Sequence, residues 1–403
     1  MKVTGFKATP VLVPMTAPLR WSMGVETGTV RTVLELFTDD GLIGLGETYG
    51  GQEIAGRFED VKQFFLGARP VEVQKVAAKF EVFRTTSEQS YLTIQLRYVA
   101  AALEMAFWDL LGKEQGVRLC DLIGGTRRET VPFVAYLFYR YKNKESSVGG
   151  EDGPAGIVEQ YAELKEKYGF RGLKLKTGVF PPAVERETVR ALRQSFGEQI
   201  EFLRVDPNQA WSAATAIREL NLLKEFSLEY CEDPTFNLEG CSQVRRAVGM
   251  PLATNMAVVA MDQVAPMVRM NAFDVVLVDP YFWGGITAVK RLAAVADAFN
   301  FSLAIHSDRE LGIGHTASLH LWATTPSISH SYDSHYPFQA DDIITEPLRW
   351  SGGACPLPKG PGIGVAVDPE KLEKYHHLYR SKGGRLEFFD RNRPDWVPRV
   401  PLW

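Results

Sequence analysis

The sequence predicts an α/β protein: a modified (β/α)8 barrel, the TIM-barrel architecture, preceded by an N-terminal α+β capping domain. Short apolar runs that end in polar residues recur at near-even intervals, and helical patterns fall between them. The runs are GLKLKTG with Lys174 and Lys176, FLRVDPN with Asp206, YCEDP with Glu232, LATNM with Asn255, VVLVDP with Asp279 and LAIHSD with His306. From Lys176 onward the polar ends lie 30, 26, 23, 24 and 27 residues apart, the period of one strand plus one covering helix.

Taken in order, residues 1–125 read as strands followed by helices. KVTGFKATPVLVP alternates, and TVRTVLELFTDDGLIGLGE holds two β-rich runs around Asp39-Asp40-Gly41, a hairpin signal. Arg97 to Lys113 carries apolar residues at helical spacing and stops at Gly116. The barrel is expected over 126–344. Its first strand is VPFVAYLFY (131–139), its last SISHSYDS (327–334), and helices are expected at 157–168, 183–196, 212–226, 260–270, 285–299 and 311–324. Such alternation within one sheet requires parallel strands and right-handed crossovers. The segment 345–403 is rich in Pro and Gly and is expected to return to the capping domain, while SSVGGEDGP after Tyr141 is expected to be flexible.

Composition narrows the function. With 45% hydrophobic and 23% charged residues, net charge −4 and a pI near 6.1, the chain lacks the positive field that nucleic acid or an acidic membrane would need. No apolar run approaches the roughly 20 residues of a membrane span, so a cytoplasmic protein acting on a small molecule is expected. Cys120, Cys231, Cys241 and Cys355 have no CxxC spacing and are expected to be free thiols. Alternation turns Cys231 away from Glu232, under the helices.

Barrel catalysis uses the carboxyl ends of the strands, where these polar residues stand. Asp206, Glu232 and Asn255 end three consecutive strands, so their oxygens are expected to converge on one point. Three hard donors suit Mg²⁺, which leaves coordination positions for water or substrate. Each residue alone reads more readily as a turn opener or helix cap; three in register reverse that and favour the metal. Lys174 and Lys176 share one strand face, and their mutual repulsion, with a cation nearby, would let one lysine act as a base below its ordinary range. Asp279, one strand before His306, would hold the imidazole in one tautomer and make a proton-accepting dyad.

These motifs, with VDPNQAW, PLATNM, VDPYFW and the Gly-rich GLGETYGG at 44–51, resemble the enolase superfamily and, within it, the glucarate dehydratase subgroup. Sites of that superfamily are a known example of a Lys or His base working beside Mg²⁺, which the resemblance therefore implies for this chain. The resemblance implies Lys176 as one base with Lys174 as its electrostatic neighbour, and His306 with Asp279 as the other. It implies that Asn208 hydrogen-bonds substrate, that Tyr139 and His335 line the pocket, and that Arg385 pairs a distal carboxylate. The implied reaction removes the proton α to a carboxylate and expels the β-hydroxyl of an acid sugar, giving a 2-keto-3-deoxy acid; the family's habit also implies a homo-oligomer. Epimerisation by the same site, and a non-catalytic paralogue that binds a carboxylate, are the alternatives.

The chain departs from the subgroup in RWSMGVETG, where Trp21 and Glu26 replace an Asn and a His, and after His306-Ser307, where Asp308 replaces an Asn. A carboxylate at Glu26 should repel a second substrate carboxylate, so an aldonate is expected over glucarate.

Overall fold

The computed structural model describes residues 1–87, 90–384 and 390–403. Strands β1 (Val3–Trp21) and β2 (Gly24–Thr38) form a long antiparallel hairpin, and β3 (Ile43–Tyr49) pairs with β2 across the Asp39-Asp40-Gly41 turn. Gly41 takes φ +88°, a conformation that glycine adopts without strain. Helices α1 (Gln52–Val61) and α4 (Tyr91–Gln115) pack on this sheet, α2 (Val73–Ala77) and α3 (Glu81–Thr85) pack on α4, and a one-turn α5 (Leu119–Leu122) leads out of the domain. α4 starts six residues before the expected Arg97, because Ser90 caps it by accepting from Thr93 N at 3.3 Å while Tyr91 and Leu92 stay exposed and blur the apolar period. It ends at left-handed Gly116.

α4 is buried on nearly every side, between the capping sheet and the barrel. Its Ala101, Ala102 and Ala106 keep the helix slim, and Gly46 of β3 meets it with no side chain: a Cβ there would lie 2.2 Å from Ala102 O. Around that contact Leu34, Leu36, Phe58, Phe80, Val99, Leu103, Phe107 and Leu110 form the capping core. Each fully buried side chain of this size contributes about 1.5–3 kcal/mol.

The barrel strands are β4 (Thr130–Leu137), β5 (Gly172–Lys176), β6 (Phe202–Asp206), β7 (Tyr230–Glu232), β8 (Leu252–Thr254), β9 (Val275–Val278), β10 (Ser302–Ile305) and β11 (Tyr332–Asp333). They pair in parallel from β4 to β10, and β11 pairs in parallel with β4. A parallel bridge of Leu303 to Ile328 brings the segment before β11 against β10 and closes the ring. A short β12 (Ala354–Pro356) lies antiparallel on β4.

The covering helices are α6 (Pro154–Tyr168), α7 (Pro182–Phe196), α8 (Ala213–Leu223), α9 (Asn237–Val248), α10 (Val264–Met270), α11 (Ile286–Phe299) and α12 (Gly312–Ala323). α9 has no counterpart in the sequence expectation. NLEGCSQVRRAV nonetheless buries Cys241, Val244 and Val248 at helical spacing, with Ser242 beside them. Among the described residues the next α-helix after β11 is α13 (Pro369–Ser381), which packs on β1, with His376 Nδ1 bonded to Pro10 O at 2.7 Å. All four cysteines are free and buried. No helix among the described residues is long and apolar enough to cross a membrane.

A buried ion pair fastens the cap to the barrel. Arg31 Nε donates to Glu47 Oε1 at 2.8 Å, both side chains are fully buried, and the guanidinium lies 4.3 Å from the Tyr49 and Tyr281 rings. Glu47 also accepts from Leu311 N (2.9 Å) and Gly314 N (2.8 Å), the otherwise unsatisfied amides at the start of α12.

Candidate active site

The carboxyl ends of β5 to β10 gather the polar residues. Lys174 is fully buried, 3.0 Å from Glu232 Oε2 and 2.7 Å from Asp333 Oδ1, with its ammonium 4.1 Å above the Tyr136 ring. Burial pushes toward the neutral amine, but Asp333 and Glu232 outweigh it and raise the pKa. This lysine is thereby held as the charged ammonium, two residues from Lys176 on the same strand. Lys176, on the same face, reaches Asp206 Oδ2 (2.7 Å) and Asn208 Oδ1 (2.6 Å). Tyr136 donates to the same Asp206 oxygen at 3.1 Å.

Asp206 and Glu232 share one buried space, and their acidities diverge. Burial opposes ionisation of Asp206, but Lys176 and Lys174 hold its pKa below the ordinary value. Glu232 is pushed up to about 8 by burial, with Lys174 opposing and Asp206 adding repulsion. Asp233 is pushed up to about 6 by burial and anchors the next strand end, accepting from Thr254 Oγ1 at 2.6 Å and Asn255 N at 2.9 Å.

Asn255 tests whether this set fits a cation. With its amide nitrogen turned inward it donates to Asp233 Oδ2 (2.7 Å) and Glu232 Oε1 (3.2 Å), while its oxygen accepts from His306 Nε2 at 2.9 Å. The opposite orientation sets Oδ1 against two carboxylate oxygens, acceptor on acceptor, a contact that a cation between them would relieve. Among the described residues no three His, Cys, Asp or Glu side chains form a metal-holding group. Asp206 and Glu232 make a three-donor set only with the Asn255 amide, and such an all-oxygen set suits a hard divalent ion.

The second proton-accepting group stands beside Asn255. His306 Nδ1 is 2.9 Å from Asp279 Oδ2, and Asp279 Oδ1 accepts from Tyr281 N and Phe282 N at 2.8 Å each. Phe282 covers the imidazole with ring centroids 5.9 Å apart.

Above these groups opens a cavity of about 570 Å³. Lys176, Asn208, Asn255, His306, Asp308 and His335 line it, and the tip of the β1–β2 hairpin brings Trp21 and Glu26 over it. His335 is wedged between Tyr136 and Phe138, with centroids 4.8 and 4.9 Å away, and burial drives its pKa well down, leaving a neutral ring. Tyr139 does not line the pocket. Period-two alternation sends Tyr136 and Phe138 inward and turns Tyr139 behind the barrel wall, where its hydroxyl bonds Thr188 Oγ1 at 2.9 Å. Glu26 is not the unopposed carboxylate expected, since it pairs with Arg309, which also holds Asp308 Oδ1 at 2.5 Å. Arg385 lies outside the described residues.

Reading the strand ends missed Arg309, Asp333 and Tyr136. The two-residue period along YLFY would have selected Tyr136, and Asp333 ends the eighth strand as Asp206 ends the third. No local signal marks Arg309.

Residues 4–124 match the family Mandelate racemase / muconate lactonizing enzyme, N-terminal domain, and residues 156–371 match Enolase C-terminal domain-like. The chain belongs to the enolase superfamily. Within the superfamily, a Streptomyces coelicolor protein named "Probable glucarate dehydratase" is 36% identical, covering 100% of this chain and 99% of its own. D-gluconate dehydratase of Thermoproteus tenax is 26% identical over 85% of this chain and 69% of its own. Among solved structures, a Thermobispora bispora enolase complexed with magnesium and formate superposes with TM-score 0.91 at 34% identity, covering 100% of both chains. A Mycobacterium smegmatis enolase complexed with tartrate gives 0.93 at 34% identity, covering 100% of this chain and 98% of that one.

Proposed function

We propose that this superfamily member is a Mg²⁺-dependent dehydratase of acid sugars, taking the proton α to a carboxylate and eliminating the β-hydroxyl to give a 2-keto-3-deoxy acid. One observation carries the reading: Lys176 and His306 stand at the two ends of the row Asp206, Glu232, Asn255, 2.7 Å from the first and 2.9 Å from the last, and both line one cavity. The names of the Streptomyces and Thermoproteus relatives and the magnesium in the Thermobispora neighbour support it.

Asp206, Glu232 and Asn255 would hold the ion, and Mg²⁺, when bound, supplies Lewis-acid stabilisation for the charge that develops on the substrate carboxylate. Lys174, charged and immobile, adds a fixed positive potential beneath that carboxylate. Lys176 accepts the α-proton when it faces the lysine side, and His306 Nε2 accepts it when it faces the other. Asp279 keeps Nδ1 protonated so that Nε2 is the reactive nitrogen. Once protonated, His306 returns its proton to the leaving β-hydroxyl, which departs as water and leaves an enol that becomes the keto acid. Trp21, Phe138 and Phe282 crowd the cavity and limit water around the reacting carbon.

The test is a screen of acid sugars with Mg²⁺, reading 2-keto acid as its semicarbazone. Lys176→Ala and His306→Asn should each abolish turnover of at least one stereoisomer; retained rates in both would remove the base assignments. Proton NMR in D₂O separates the epimerase alternative, which would give exchange with inversion and no keto acid.

A further inference from the structure

The cap-side wall of the cavity carries charges that the proposed chemistry does not use. Glu26 sits on β2 just past the hairpin tip, and Arg309 stands three residues beyond His306 in the loop after β10, so their ion pair joins the cap to the loop that carries the imidazole. The side chains are 9% and 15% exposed. Arg309 holds φ +60°, and Gln339 Nε2 donates to its carbonyl at 3.1 Å, which fixes where the guanidinium projects. Its second carboxylate, Asp308, turns the other oxygen to Tyr49 OH.

Two carboxylates thus share one guanidinium, and the cluster presents one net negative charge to the cavity. The other lining guanidinium among the described residues, Arg97, is 2% exposed and gives Nη1 to Val259 O and Phe282 O at 3.3 and 3.2 Å. A carboxylate arriving at this wall finds its cation already taken and two like charges beside it. A hydroxyl arriving there can donate to a carboxylate oxygen.

We propose that Glu26, Arg309 and Asp308 form a charge filter, by which the enzyme selects acid sugars whose far end is an uncharged hydroxymethyl group over those ending in a second carboxylate. The proposal rests on the acid-sugar reading above and adds Arg309, the shared counter-ion of Glu26 and Asp308, as a specificity-determining residue.

Matched pairs of aldonate and aldarate, D-gluconate with D-glucarate among them, differ only in that terminal group. For each pair kcat/KM and, by calorimetry with Mg²⁺, Kd are measured on the same preparation, so a general loss of activity cancels in the ratio. Wild type should favour the aldonate. Glu26→Gln removes one of the two like charges and loosens the hold on Arg309 Nη1, and should shift the ratio toward the aldarate by about 10- to 100-fold. Arg309→Met leaves both carboxylates unopposed and should shift it the other way.

A wild type that favours the aldarate, or a Glu26→Gln ratio that is unchanged or moves toward the aldonate, overturns the filter. Binding of both acids without keto-acid formation removes the dehydratase reading alone, and the filter is then judged on the Kd ratio. Binding of neither removes both.

Discussion

Asp279→Asn isolates the most tightly constrained part of the site. The carboxylate accepts Tyr281 N and Phe282 N through Oδ1, both at 2.8 Å, and faces His306 Nδ1 with Oδ2 at 2.9 Å. An asparagine keeps the first two bonds only by leaving its oxygen where Oδ1 is. The opposite flip would set an NH₂ against two backbone N–H donors, at about 1–3 kcal/mol for each unmade bond. The amide nitrogen must then face Nδ1, which has to give up its proton and accept; the proton moves to Nε2, the nitrogen that should take the substrate's α-proton. Turnover of the stereoisomer that depends on His306 should fall about a thousandfold, roughly 4 kcal/mol of transition-state stabilisation, while the melting temperature changes little because the loop bonds survive. Steady-state kinetics on a substrate from the acid-sugar screen gives the rate. Imidazole ¹⁵N shifts, assigned against His306→Asn, give the tautomer. A variant within tenfold of wild type, or one in which Nδ1–H persists, refutes the tautomer role of Asp279.

Three further outcomes follow from the same geometry. Glu47→Ala leaves Arg31 buried without a carboxylate and strips the start of α12 of its acceptor, so it should cost about 3–5 kcal/mol in urea unfolding, and Glu47→Leu with Arg31→Met should recover much of that. His315 is buried with Nε2 bonded to Ser334 Oγ at 2.8 Å, and burial holds its pKa down to about 3. Because the folded value lies below the unfolded one of about 6.5, the unfolded chain binds the extra proton between them. The contribution to stability is therefore complete above that pH and lost by roughly 1.4 kcal/mol per unit as pH falls from about 6.5 toward about 3; His315→Gln should flatten this limb of the melting profile. Mg²⁺ at about a hundredfold excess over its Kd should stabilise the fold by about 2.7 kcal/mol, reversed by EDTA. Asp206→Asn with Glu232→Gln should remove that response, and an equal shift in the double variant would place the ion elsewhere.

The barrel was legible because its strands are buried on both faces and end in polar residues. An apolar run closed by Asp, Glu or His at a period near 25 residues records where each strand reaches the rim. The rows Lys174–Lys176, Asp206, Glu232, Asn255 and Asp279–His306 needed only that period and two-residue alternation. The family resemblance put Tyr139 in the pocket, whereas alternation along YLFY seats Tyr136 and Phe138 there. α9 was legible by the same rule, since its buried Cys241, Val244 and Val248 recur at helical spacing as the buried residues of α6 do.

Local chemistry in the chain thus determined which residues stand at the mouth of each strand, since period and burial are properties of single segments. Charge balance is a property of pairs. Glu26 and Arg309 are 283 positions apart, as are no two residues of one segment, and only the closure of the cap over the barrel makes one the other's counter-ion. The same holds for Lys174, whose burial favours the neutral amine and is opposed by Asp333 and Glu232, the first brought adjacent when β11 pairs with β4 and the ring closes.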